Sequence, residues 1–152
     1  MLESIATYCP SLRVFIIRYF ALGAVTAIIF SPFISTLVEL TLSGAVLAAL
    51  AIFLVTPLIW GFLFDDHQKW LRHRRERWVL FPDRLRLHGS DGEVVDIALS
   101  EITHVSLWLW YSVGIRLRSG TKFRALYIPH ASEMKRRINA QIAAQKGEAP
   151  HE

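Results

Sequence analysis

The sequence has a single cysteine, Cys9, among its 152 residues. One thiol cannot form an intrachain disulfide, and it cannot supply the cysteine cluster that a structural zinc site needs. The six histidines are scattered, with no His-Glu-x-x-His motif and no pair spaced by four residues. We therefore expect neither a metal site nor a cofactor.

Catalytic signatures are also lacking. The sequence contains no Gly-x-x-x-x-Gly-Lys-Ser/Thr loop or Gly-x-Gly-x-x-Gly loop for phosphates, and no Gly-x-Ser-x-Gly elbow for a nucleophilic serine. These absences, together with the lack of clustered metal ligands, predict a protein that is not an enzyme.

Charge is scarce in the first half of the chain, where Glu39 is the only formally charged residue between positions 19 and 64. Hydrophobic residues make up 53% of the composition, and the mean hydropathy is +0.33. A helix needs about 20 apolar residues to cross a bilayer, because lipid offers no hydrogen-bond partner to the backbone. We expect a transmembrane hairpin over residues 1–64, with spans at about 14–30 and 40–64 and Glu39 facing water. Arg18 lies close enough to the end of the first span to reach the headgroups.

The second span is followed by a dense charge run at residues 65–77, "DDHQKWLRHRRER". Basic residues flank both spans on the terminal sides, and the turn between the spans has no lysine or arginine. The positive-inside rule then places both termini in the cytoplasm of a multi-pass protein, which we expect in a bacterial inner membrane.

The basic residues of this juxtamembrane segment are candidates for binding anionic lipid headgroups. They are Lys69, Arg72, Arg74, Arg75 and Arg77. The alternative is that they serve only as a topology signal, because the positive-inside rule alone enriches arginine beside a span.

Residues 78–128 alternate apolar and polar side chains, which is typical of short strands. Turns are expected at residues 89–92 and 119–121, where glycine tolerates positive backbone angles. After Pro129 the period changes to that of a helix, in which Met134 and Ile138 repeat every fourth residue. The pattern predicts a small antiparallel sheet and a C-terminal helix over residues 78–146, followed by a tail at 147–152.

Several sequence segments of this region resemble those of bacterial PH-like domains, including the YcxB-like group, which often follow a pair of membrane helices. The resemblance covers about residues 76–146 and lies mainly in "LSEITHV" and "IPHASEMKRRI". It implies an α+β fold in which a curved sheet or partial barrel is capped by one helix and serves as a binding or assembly module. Lipid-binding PH domains use basic residues around their first hairpin; here that region contains Arg84 and Arg86 but no lysine-rich loop.

The stretch "HVSLWLWYS" at residues 104–112 contains two closely spaced tryptophans. Strict alternation puts Val105, Leu107, Leu109 and Tyr111 on a core face. Trp108 and Trp110 then lie on the outward face as an apolar patch of the kind that marks contacts, either with the bilayer interface or with a partner protein, which we favour because of the family resemblance. The alternative is that sheet curvature or the segment 70–78 covers both rings.

Two functions remain open for such a chain. The first is a non-enzymatic, membrane-anchored adaptor or accessory subunit that contacts another integral membrane protein or a second copy of itself. The second is a sensor of anionic membrane lipids that uses the basic segment and the PH-like surface, in keeping with a net charge of +4. Nucleic acid is not expected as a partner, because the basic face would be held against the bilayer.

Overall fold

The computed structural model describes residues 3–38, 42–63 and 65–147. Glu39 of the expected turn and residues 148–152 of the expected tail lie outside the described residues. Within the described ranges the chain forms four α-helices and two antiparallel sheets, which confirms the α+β class. It divides into two compact units. The helical unit is Phe15–Leu71, and the sheet unit combines Met1–Val14 with Arg72–Glu152.

The helices of the first half are α1 (Leu12–Val38), α2 (Leu42–Leu63) and α3 (Asp66–His73). Within the helical unit α1 and α2 approach closely. Phe20 stacks on Phe53 at 5.8 Å between ring centroids, and a Cβ on Gly61 would lie only 2.7 Å from the Tyr19 hydroxyl. Glycine at position 61 therefore permits a contact that a larger residue would disturb.

One apolar stretch of the described residues, Leu12–Ile34, is long and apolar enough to cross a membrane. The apolar stretch of α2, Leu42–Thr56, is shorter. Both helices present large apolar side chains at their surface, among them Ile28, Phe33, Leu42 and Leu58. Hydroxyl groups within these helices donate to carbonyls of the preceding turn, as in Thr26 to Leu22 and Thr56 to Ile52. Such internal bonds satisfy polar groups that lipid cannot.

The first sheet contains β1 (Ala6–Tyr8), β2 (Arg77–Leu80), β3 (Arg84–His88) and β4 (Val94–Ala98) in that order. The sequence predicted only the hairpin over residues 1–64 and did not predict β1, which belongs to the sheet. Thr7 pairs with Val79, and the Ile5 amide donates to the Leu80 carbonyl at 2.8 Å. A strand of three residues is too short to show an alternation pattern in the sequence.

The second sheet follows a single 3-10 turn at Leu99–Glu101 and contains β5 (Ile102–Trp108), β6 (Ser112–Leu117) and β7 (Lys122–Ala125). The chain ends its described part in α4 (Ala131–Gly147). The two expected turns are confirmed, since Gly92 and Gly120 adopt φ angles of 89° and 88° between paired strands.

The core of the sheet unit lies between the two sheets and α4. Trp78, Leu80 and Leu85 of the first sheet and Ile115 of the second are almost fully buried. The helix contributes Met134 and Ile138, both at 0% exposure, and Ile142 packs at the margin. The four-residue period that predicted this helix therefore corresponds to its buried face.

Replacing Ile5 with proline should test the pairing of β1 with β2. Proline lacks the amide that donates to the Leu80 carbonyl, and a buried carbonyl without its partner costs about 1–3 kcal/mol. We expect Ile5→Pro to lower the melting temperature of the detergent-solubilised protein and to speed hydrogen exchange at residues 6–8 and 78–80. Ile5→Ala keeps the amide and is the control. Equal melting and exchange of the two variants would contradict the pairing.

Candidate interaction surface

The basic juxtamembrane segment consists of α3 and the start of β2. All five of its predicted lipid-binding side chains are exposed: Lys69, Arg72, Arg74, Arg75 and Arg77. The helix α3 exists because one face is buried, with Trp70 stacked on Phe15 at 5.1 Å between ring centroids. After α3 the chain turns, and the His73 and Glu76 side chains are in hydrogen-bond contact there, at 2.7 Å between Nδ1 and Oε1. The segment thus presents its cations to solvent.

An ion pair inside the helical unit joins α1 to α3. Arg18 Nη2 lies 2.7 Å from Asp66 Oδ2, and the Asp66 side chain is only 8% exposed. The sequence predicted that Arg18 reaches toward the headgroups but did not indicate this partner, which is far away along the chain. The short distance and the low exposure make the carboxylate dependent on Arg18, because an unpaired buried charge is strongly destabilising.

Removal of one partner should therefore cost more than removal of both. We expect Arg18→Leu to lower the free energy of unfolding by about 3–5 kcal/mol, since it leaves the Asp66 carboxylate buried without its cation. The double variant Arg18→Leu with Asp66→Leu should recover much of that loss. Arg13→Leu, which removes an exposed arginine from the same helix, is the control, and unfolding in denaturing detergent is the measurement. Additive losses in the double variant would contradict the coupling.

The two tryptophans lie where β5 turns into β6. We define the tryptophan turn as residues 107–110, whose side chains are 40%, 59%, 59% and 49% exposed in chain order. Trp108 and Trp110 both face solvent within the described residues. Neither ring is buried in the sheet unit, because Trp108 is 59% exposed and Trp110 is 49% exposed.

The expected core face is correct for Val105 and Tyr111 and wrong for Leu107 and Leu109. The strand ends at Trp108, and Leu109 takes a left-handed conformation with φ of 58°. This reversal interrupts the alternation on which the prediction depended. The turn therefore exposes two leucines beside its tryptophans.

Contacts on the buried side support the tryptophan turn. The Ser112 hydroxyl donates to the Trp108 carbonyl at 2.7 Å. The Tyr111 ring meets the Trp110 ring edge-on at 5.3 Å and stacks on Tyr127 at 6.1 Å. Because Tyr111 and Tyr127 are buried, they hold the backbone from which the exposed rings project.

The arginines of the two sheets differ in their partners, which are an aromatic ring in one sheet and a carboxylate in the other. Arg124 of β7 lies over the Trp108 ring at 5.4 Å, which places a positive charge beside the tryptophan turn. Arg86 of β3 donates two hydrogen bonds to Asp96 at 2.6 and 2.8 Å, and Arg84 lies 3.6 Å from the same carboxylate. The hydrogen bonds from Arg86 lower the pKa of Asp96. The carboxylate therefore stays ionised at neutral pH and forms ion pairs with both Arg84 and Arg86. The first hairpin therefore has little free positive charge for a phosphorylated headgroup.

Among the described residues, no three histidine, cysteine, aspartate or glutamate side chains come close enough to hold a metal ion. Comparison of the chain with known protein families, with characterised proteins and with solved structures gives no match.

Proposed function

We propose that the protein is a non-enzymatic, membrane-anchored adaptor whose sheet unit contacts another integral membrane protein through the tryptophan turn. The observation that carries this proposal is the exposure of four consecutive apolar residues, of which Trp108 and Leu109 are each 59% exposed. Tryptophan is one of the residues enriched among the few side chains that dominate the binding energy of protein interfaces. The rigid backing by Tyr111 and Tyr127 reduces the entropy that such a contact would lose on binding.

The pairing of β1 with β2 supports a hairpin of two spans. Strand β1 precedes α1 and β2 follows α3, yet the two strands are hydrogen-bonded neighbours in one sheet. On this proposal both flanks of the helical segment lie in the same aqueous compartment. If α1 crosses the bilayer, α2 has to cross back, and its 22 residues suffice for a helix of roughly 33 Å.

The order of elements also supports the resemblance to PH-like domains. Between residues 76 and 146 the strands β2 to β7 are followed by α4, which buries Met134 and Ile138, and this order is in keeping with the curved sheet and single capping helix that the resemblance implies. On this proposal the sheet unit is a binding module, and the positive-inside rule places it with both termini in the cytoplasm of a bacterial inner membrane.

The topology can be tested with the protein's own thiol, because Cys9 is exposed and is the only cysteine. We expect a membrane-impermeant maleimide to label Cys9 in inverted membrane vesicles and not in intact cells. In a Cys9→Ser background, Thr36→Cys should show the reverse, since residue 36 lies near the far end of α1. Labelling of both positions from the same side would contradict the two-span hairpin.

The adaptor proposal predicts the effect of truncating both tryptophans. We expect Trp108→Ala with Trp110→Ala to insert and fold normally, because both rings are largely outside the core, and to reduce recovery of a co-purified membrane protein at least about tenfold. Quantitative mass spectrometry after affinity purification is the measurement. Val94→Ala, which truncates a 52% exposed residue of the other sheet, is the control.

Two outcomes would contradict this prediction. Unchanged recovery of every co-purified protein would exclude the tryptophan turn as the contact. Loss of the folded state, seen as loss of the near-ultraviolet circular dichroism signal, would assign the rings to the core.

The second candidate is attachment to anionic lipid, and the exposure of all five basic side chains of the juxtamembrane segment favours it. Each cation near an anionic surface contributes about 1 kcal/mol. A photo-crosslinker placed at position 75 would give lipid adducts under this function, and one at position 108 would give a protein adduct under the adaptor function.

A further inference from the structure

A groove runs along the sheet unit between the first half of β5 and one side of α4. It consists of two adjoining hollows of about 420 and 360 Å³. The hollows share four lining residues, which are Ile102, Thr103, Ile142 and Lys146. We call this feature the β5–α4 groove. It lies on different residues from the tryptophan turn.

One wall of the groove is a strand edge. Strand β5 is the last strand of its sheet, and among the described residues it pairs only with β6. Residues 102–105 of β5 line the groove, with Ile102 and Val105 turned into the core and Thr103 and His104 exposed. An unpaired strand edge carries a row of backbone donors and acceptors, which an extended peptide can satisfy by adding one more strand.

The edge is irregular where the groove begins. The pairing of β5 with β6 shifts between Ile102 and His104, and the Thr103 hydroxyl donates to the Arg116 carbonyl at 3.0 Å. A bulge of this kind limits indiscriminate pairing and redirects side chains. We therefore expect the charges along the groove to determine which peptides bind there.

Those charges have one sign. Arg118, Lys135 and Lys146 line the two hollows, and none of the described lining residues is acidic. Their cations form no ion pair within the described part of the chain, whereas Arg86 and Arg137 are paired with carboxylates. Within the described residues no carboxylate therefore neutralises the positive charge of the groove, and this charge is complementary to an acidic ligand.

We infer that the β5–α4 groove binds an acidic peptide segment of a partner protein, in extended conformation, as an additional strand beside β5. This inference rests on the proposed adaptor function and adds the chemical class of the partner segment. The backbone edge favours a peptide over a headgroup, which has no strand to offer. The partly buried Ile142 offers apolar surface for one of the side chains that alternate along the added strand.

The test uses the full chain in nanodiscs of zwitterionic lipid. The probe is a labelled, end-blocked nonapeptide that alternates aspartate with valine, and fluorescence anisotropy measures its binding. A second peptide with lysine in place of aspartate reverses the charge. A third keeps the aspartates but is N-methylated at alternate amides, so that it retains the charge and cannot form a strand ladder. We expect binding of the first peptide and at least about tenfold weaker binding of the other two.

Variants locate the site. Lys135→Glu with Lys146→Glu should weaken binding of the acidic peptide at least about tenfold. Lys122→Glu with Arg136→Glu makes the same change of net charge at exposed positions that do not line the groove, and it should bind like the unaltered protein. Hydrogen exchange of the unaltered chain should show new protection at residues 102–108 when the peptide is present.

The results of these experiments decide whether an acidic peptide or a second copy of the chain binds the edge of β5. Absence of binding by the acidic peptide, equal binding by the N-methylated peptide, or equal weakening in the two charge variants would overturn the inference. Protection of residues 102–108 that depends on protein concentration without peptide would also overturn it, because a second copy would then occupy the edge. These failures leave the Trp108 and Trp110 result untouched, so they are distinguishable from failure of the adaptor proposal.

Discussion

The hydrogen bonds between β1 and β2 are the constraint on which the organisation of this chain depends. They close a loop of about 70 residues, and closing a loop of that size has an entropic cost that packing must offset. The cost is offset in the sheet unit, where the Ser11 amide also donates to the Tyr127 carbonyl at 2.9 Å and Leu80 is fully buried. The helical segment is thus an insertion between two neighbouring strands of one sheet.

Within the helical unit a second interaction sets how the chain leaves the apolar region. Asp66 begins α3 as a buried carboxylate paired with Arg18, and Trp70 stacks on Phe15 one turn later. A charged pair of low exposure next to an apolar helix stabilises little by itself, because desolvation offsets the attraction, but it favours one arrangement over others. With α3 held in this way, the five basic side chains of the juxtamembrane segment project to solvent.

The two surfaces that we propose for partner binding lie where the regular pattern of the second sheet stops. Strand β5 ends in the tryptophan turn, and the stacked, buried rings of Tyr111 and Tyr127 support this turn from the core. Near the other end of β5 a register shift and the side of α4 border a groove whose cations form no ion pair with any described residue. Regular alternation buries apolar groups efficiently, so interruptions are where apolar rings and free backbone groups remain exposed.

The sequence by itself determined the apolar first half, the strand alternation after residue 78, the glycine turns and the buried face of α4. Each of these is a local property, because period and composition are carried by neighbouring residues. The tertiary structure alone decided the rest: β1 is too short to have a period, and Arg18 and Asp66 meet only when α1 and α3 pack. The exposure of Leu107 and Leu109 likewise depends on where β5 ends, and the β5–α4 groove depends on two elements about 40 residues apart, whose approach no local pattern encodes.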